Sequence, residues 1–308
     1  MAFHFDLIDE IAVGNRLGEG VQWRAQDQSL WWTDILGSTL YRLDWQSRTL
    51  SQFACPEPVG SFAFTQYPET LIAAFASGFG FFNYNTGAVQ WLHRPVFLPG
   101  EGRFNDGRAD RQGRFWCGTM MAEPGGTSKA AGRLFCLGTD GALSQHEQQI
   151  NISNGLCWSP DSSILYFADS LKGGIVQYDF DGNDGTLSNK RPFALMPKGG
   201  VPDGAAVDAD GNVWSAQWGA GKVLMFDKSG MQISEVSIPA LQPTCVAFGG
   251  PEMDLLFVTS ATDGLDEGTT MHQSKNGNVF VFKTSFKGLP ECEFTGIVHQ
   301  PQNSSSAL

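Results

Sequence analysis

The chain has 308 residues, with 20 basic side chains against 32 acidic ones and a formal charge of −12. With 42% hydrophobic and 17% charged residues it buries enough apolar surface to offset the entropy of ordering, which excludes global disorder. A pI near 4.8 leaves few clustered Lys and Arg to hold phosphates, so no nucleic-acid partner is expected.

The N-terminus, MAFHFDLIDEIAVGNRLGEG, carries acids where a secretory leader needs basic residues. No apolar run approaches the roughly 18 residues that span a bilayer. A cytoplasmic protein with no membrane partner is expected. The first strand pair is SLWWTDILGSTLYRLD from Ser29, and the second is TLIAAFASGFGFFNYNTG from Thr70. RFWCGTM with GRLFCLGTDG follows from Arg114, then ILYFADSLKGGIVQYDFDG from Ile164. NVWSAQWGAGKVLMFDKSG from Asn212 and LLFVTSATDG with GNVFVFKTS from Leu255 complete the set.

Each copy is a short apolar or aromatic strand, a small or polar break, and a second strand ending in a turn. Within a copy apolar and polar residues alternate with period two, and the closing turns carry the Gly and Asx chemistry of hairpins. The copies recur at about 40 to 50 residues, the spacing of propeller blades. The sequence therefore predicts an all-β, six-bladed β-propeller with a central channel, formed by residues 1–308 as one domain, with a frayed tail at 299–308. In such a fold a ligand sits at one mouth of the channel, where innermost strands of several blades present side chains together.

Polar residues set among glycines precede four of these pairs: Leu17-Gly18-Glu19-Gly20, Arg103-Phe104-Asn105-Asp106-Gly107, Ile152-Ser153-Asn154-Gly155 and Val201-Pro202-Asp203-Gly204. Glu19, Asn154 and Asp203 fall in matching positions ahead of their strands, which unrelated surface turns would not do. Oxygen ligands of low formal charge, with vacancies left for water, suit a divalent cation.

These motifs carry a resemblance. LGEGVQW, RFNDGRADRQGRFWCGTM, ISNGLCWSPDSSILYFADS and PDGAAVDADGNVWSAQW, in this order, resemble the senescence marker protein / gluconolactonase / regucalcin family of six-bladed propellers over essentially the whole chain. The resemblance implies one divalent metal at the channel mouth, held by Glu19, Asn154 and Asp203, and substrate contacts from Arg103, Asn105 and Glu123. The metal so implied is one of Ca²⁺, Zn²⁺, Mg²⁺, Mn²⁺ and Fe²⁺, a choice the sequence leaves open. It implies a lactonase that opens a five- or six-membered sugar aldonolactone to the aldonic acid, with a small-molecule lactone as partner and a monomer or weak dimer as assembly.

The chemistry is consistent with these roles. A Lewis-acidic cation polarises an ester carbonyl and stabilises the oxyanion, and a nearby carboxylate, Asp203, is the candidate general base. Arg103 donates a fork of hydrogen bonds to ring hydroxyls, or alternatively pairs with Asp106 or Asp110. Asn105 serves either the sugar or the cation and its water. Ring size and epimer preference are assigned to loops 121–129 and 263–278.

Two alternatives keep part of this reading. One is hydrolysis of organophosphates or other lactones and esters at the same site; the other is a calcium-binding protein without turnover. A serine hydrolase is set aside for want of a GxSxG elbow. The five histidines show neither HxH nor HExxH spacing and read as ordinary surface or core residues, and the six cysteines, with no CxxC, read as small buried hydrophobes in a reducing compartment. The Trp-rich stretches are expected to pack the blades, with Trp218 placed to line the mouth.

Overall fold

The computed structural model describes residues 3–126, 129–266 and 275–297. The expected tail at 299–308 lies outside these, as do parts of the two loops assigned to specificity, residues 127–128 and 267–274.

Among the described residues twenty-four strands form six four-stranded antiparallel sheets, the six blades of a β-propeller. Blade 1 holds β2 (Gly18–Arg24), β3 (Ser29–Asp34), β4 (Thr39–Asp44) and β5 (Leu50–Ala54). Blade 2 holds β6 (Val59–Phe64), β7 (Thr70–Phe75), β8 (Gly78–Asn83) and β9 (Val89–His93). In blade 3 are β10 (Glu101–Ala109), β11 (Phe115–Met121), β12 (Gly132–Leu137) and β13 (Leu143–Ile150). Blade 4 has β14 (Ser153–Trp158), β15 (Ile164–Asp169), β16 (Gly174–Phe180) and β17 (Leu187–Leu195), and blade 5 has β18 (Val201–Val207), β19 (Val213–Trp218), β20 (Lys222–Phe226) and β21 (Gln232–Ser237).

The last blade is built from both ends of the chain. β22 (Pro243–Gly249), β23 (Leu255–Ser260) and β24 (Val279–Thr284) are completed by β1 (Phe5–Ile11), which pairs antiparallel with β24 from Phe5↔Thr284 to Ile11↔Val279. This closes the ring non-covalently and covers an edge that would otherwise expose Phe280 and Phe282 backbone groups.

The repeats found in the sequence are the second and third strands of each blade. Innermost strands are buried on both faces, as β2, β6, β14 and β22 show, and combine glycine and apolar residues with buried polar ones such as Glu19, Gln22 and Asn154, so they do not alternate. Outermost strands such as β13 and β21 are largely polar because one face meets water.

Blades adhere through flat apolar faces, and an aromatic pair spans every junction. The pairs are Trp31 with Phe64, Phe79 with Phe104, Trp116 with Trp158, Phe193 with Phe226, Trp214 with Phe248 and Trp23 with Phe257, with centroids 4.6–6.4 Å apart. Each such pair contributes about 1 kcal/mol beyond the area it buries. A second device recurs in the hairpins after innermost strands: Asp110 accepts from the Trp116 indole at 2.9 Å, and Asp208 from the Trp214 indole at 2.9 Å.

None of the six cysteines is in a disulfide, and Cys117, Cys136, Cys157 and Cys245 are buried. Among the described residues no helix is long and apolar enough to cross a membrane.

Candidate functional site

The innermost strands do not pair regularly with their neighbours. In β2, β10, β14, β18 and β22 two residues oppose one of the partner strand, a β-bulge at the same level of the channel. The residue before each bulge is Glu19, Phe104, Asn154, Pro202 or Pro243. Glu19 and Asn154 thus occupy equivalent places, whereas Asp203 stands one residue further on, equivalent to Asn105. A bulge re-aims side chains, so both places deliver polar groups to the channel mouth.

Glycines follow for two different reasons. Gly20 and Gly155 have φ of 59° and 66°, a backbone that favours glycine. Gly204 is needed for room, because a Cβ there would come within 2.7 Å of the Cys245 sulfur on the neighbouring strand.

Glu19, Arg103, Asn105, Asn154 and Asp203 line one cavity of about 290 Å³. Met120, Ile152, Leu171, Val201 and Trp218 form much of the remaining wall, and Asp263 stands among the lining groups. Trp218 also packs on the Leu17, Ile35 and Ala261 cluster, so it both lines the cavity and seals the junction of blades. Glu123 is exposed and is not among the lining residues; its neighbour Pro124 is.

Glu19, Asn105, Asn154 and Asp203 are only 3–7% exposed. A hydrogen-bond chain links several of them. Arg103 Nη1 donates to Asn105 Oδ1 at 2.6 Å and to the Phe104 carbonyl at 2.9 Å. Asn105 Nδ2 donates to Asn154 Oδ1 at 3.0 Å and to the Ser153 carbonyl at 2.9 Å. Asn154 Nδ2 donates to Ser170 Oγ at 2.8 Å, and Ser170 in turn donates to the Pro202 carbonyl at 2.7 Å, next to Asp203. Asp110 is engaged by Arg114 at 2.6 Å, and Asp106 accepts from the Leu156 N–H at 3.0 Å, while Arg103 faces the cavity.

Electrostatically the site is acid-rich and its acids are buried. Burial, reinforced by the Asp106 charge, pushes the Glu19 carboxyl up to about 8, although the Gly20 N–H and Arg103 oppose this. Asp203 is raised well above the ordinary range by burial and by the Glu19 and Asp106 charges. Burial also raises Asp106, and it pulls the Arg103 guanidinium down against the opposing pull of Glu19.

Such carboxylates are costly without a countercharge. Among the described residues no Lys, Arg or His forms an ion pair with Glu19 or Asp203, and Glu19 Oε2 accepts only from the Gly20 N–H at 3.0 Å. The amide oxygen of Asn154 has a second lone pair to offer. Two carboxylates and an amide oxygen suit a hard divalent cation, although among the described residues no three His, Cys, Asp or Glu side chains are placed together to hold one.

Asp106, Ser170 and Asp263 were not singled out as site residues by sequence reasoning. Asp106 is visible in the Asn105-Asp106-Gly107 motif as a second acid beside the first polar group. Ser170, in a 3-10 turn at Ser170–Lys172, and Asp263, in a turn, follow second strands without a recurring pattern.

The fold and the cavity define a six-bladed propeller with an acid-and-amide site at one channel mouth. The chain belongs to the SMP-30/Gluconolactonase/LRE-like family, whose defining region matches residues 17–262. It is 36% identical over 285 residues to an L-arabinolactonase of Azospirillum brasilense, covering 92% of this chain and 93% of that one. It is 33% identical over 286 residues to the regucalcin of Xenopus laevis, covering 91% and 95%. The crystal structure of a calcium-binding protein, regucalcin, from Agrobacterium tumefaciens superposes with a TM-score of 0.87 at 28% identity, covering 94% of this chain and 97% of the other.

Proposed function

We propose that this protein is a divalent-cation-dependent hydrolase that opens a sugar aldonolactone to the aldonic acid. The observation that carries the reading is the meeting of Glu19, Asn154 and Asp203 in one cavity with Arg103 and Asn105. Similarity to an L-arabinolactonase over nearly the full length of both chains supports the substrate class.

Glu19, Asn154 and Asp203 would hold the cation, with Ca²⁺, Mg²⁺ and Mn²⁺ favoured by an all-oxygen set and Zn²⁺ or Fe²⁺ accepted. When bound, it supplies Lewis acidity to the lactone carbonyl. Asp203 takes the proton as the water oxygen attacks the acyl carbon. Cleavage of the ring C–O bond then returns that proton to the departing ring oxygen, leaving the open hydroxy acid. Arg103 and Asn105, fixed to each other at 2.6 Å, orient the ring hydroxyls. Trp218 and its aliphatic neighbours exclude water from the apolar face of the ring.

Side-by-side assays on arabinonolactone, gluconolactone, galactonolactone, xylonolactone and a phosphotriester test this reading. Hydrolysis of a sugar lactone, lost with a chelator and restored by cation, is expected. Turnover of the phosphotriester alone would replace the sugar by an organophosphate. The likeness to a calcium-binding regucalcin favours one competing outcome, cation binding without turnover of any ester.

A further inference from the structure

The channel is closed at the end remote from the site by residues 285–297, the segment after β24. The Lys287 carbonyl accepts from Ala209 N at 2.8 Å, and Gly288 N donates to the Met253 carbonyl at 2.7 Å, both in hairpins that follow the far ends of strands β18 and β22. Phe294 N donates to the Phe64 carbonyl at 2.8 Å and Thr295 N to the Gly113 carbonyl at 3.0 Å, on the other side of the ring. The segment is therefore a strap that crosses beneath the channel, and Phe294 is buried in the cluster between blades 2 and 3.

At the middle of the crossing, Glu291 Oε2 lies 3.6 Å from Arg108 Nε, with side chains only 10% and 11% exposed. Arg108 rises from β10. Its Nη1 donates to the Ala205 carbonyl at 3.1 Å and its Nη2 to the Val21 carbonyl at 3.4 Å. These carbonyls lie two residues beyond Asp203 and two beyond Glu19. One guanidinium thus ties blades 1, 3 and 5, which are not neighbours and share no sheet.

We infer that Arg108 is a positioning residue that sets the separation of the Glu19 and Asp203 bulges, and that Glu291 on the strap holds Arg108 in that pose. This assignment rests on the proposed cation site. Arg suits the role because its planar fork presents donors in several fixed directions, whereas Lys offers a point charge that cannot span both carbonyls. Glu291 is needed because a buried guanidinium without a carboxylate partner would turn toward the acids at the mouth or draw in water. The strap therefore supports the site from the opposite end of the channel.

Calorimetric titration with Ca²⁺, and in parallel Mn²⁺, of the full-length wild type, Arg108→Lys, Glu291→Gln and Lys287→Ala tests this. Arg108→Lys is expected to weaken cation affinity about tenfold, in the range found when groups supporting metal ligands are replaced. Glu291→Gln should shift affinity in the same direction. Lys287→Ala removes exposed strap contacts to Asp254 at 3.2 Å and to the Glu252 carbonyl at 2.6 Å, and should leave affinity unchanged. A folded Arg108→Lys protein with wild-type affinity, whatever its melting temperature, overturns the positioning role while leaving the cation site intact. A wild type that binds neither ion removes the proposed site itself, and this assignment with it.

Discussion

Asn105 Nδ2 lies 3.0 Å from Asn154 Oδ1 and donates to it, joining a group proposed to touch the sugar to a group proposed to hold the cation. The two amides come from strands β10 and β14 of neighbouring blades. Replacing Asn105 by Ala should therefore raise KM and also weaken cation binding several-fold, although Asn105 is not in the proposed ligand set. In a double-mutant cycle of Asn105→Ala with Asn154→Ala, a coupling of about 1 kcal/mol in cation affinity is expected. Strict additivity would place the two residues in separate functions.

Proton linkage gives a second expectation. In the cation-free protein Glu19 is raised from 4.5 to about 8, so its protonated form is favoured by the folded state. The resulting stabilisation is fully present below the unfolded value of 4.5 and is lost as pH rises through about 8. With chelator the melting temperature should fall across this window. Cation affinity should rise across it, with proton release on binding, seen as a buffer-dependent enthalpy in calorimetry. An affinity independent of pH between 5 and about 8.5 would argue that Glu19 is not a ligand.

Closure of the ring depends on β1. Phe5 packs edge-on against Trp214 at 5.7 Å and lies near Phe286. Phe5→Ala should cost about 2 kcal/mol in urea unfolding, less than a fully buried phenylalanine because Phe5 is half-buried. Removal of residues 1–11 should expose the β24 edge and give a concentration-dependent aggregate in light scattering. A monomeric truncated chain of unchanged stability would show that β1 is dispensable.

At the far end of blade 5, Asp208 accepts from the Trp214 indole at 2.9 Å, from Asn212 Nδ2 at 2.8 Å and from the Asn212 N–H at 2.8 Å. Asp208→Ala leaves a buried indole N–H without its acceptor, and a loss of about 2 kcal/mol in stability is expected. Catalytic turnover per folded molecule should stay unchanged, because the side chain removed lies at the opposite end of β18 from Asp203 and the backbone contact of Ala209 N to the Lys287 carbonyl on the strap is kept. Loss of turnover without loss of stability would contradict this separation.

The propeller was legible because second and third strands recur as short apolar, aromatic-rich runs closed by Gly and Asx turns. Strands β2, β14 and β18 escaped that pattern because polar and glycine residues interrupt them at the bulge, and β1 escaped because its partner lies at the other end of the chain. At the site, the Glu19-Gly20 and Asn154-Gly155 pairs announced themselves through glycines that the backbone demands. Asp203 lines the same cavity but not in the register assumed, since it is the first residue within its bulge whereas Glu19 precedes its own. The Ser170 link and the Arg108 to Glu291 pair depend on approaches between segments 32 and 183 residues apart, which no local pattern records.

The central claim is that Glu19, Asn154 and Asp203 hold a cation needed for lactone opening. Acid release from sugar lactones, followed by pH-stat for wild type and for Asp203→Asn, each with chelator and with saturating cation, tests it most directly. The account expects turnover only in wild type with cation, and a folded, inactive Asp203→Asn protein. Full activity of the chelated wild type, or of Asp203→Asn, would contradict it.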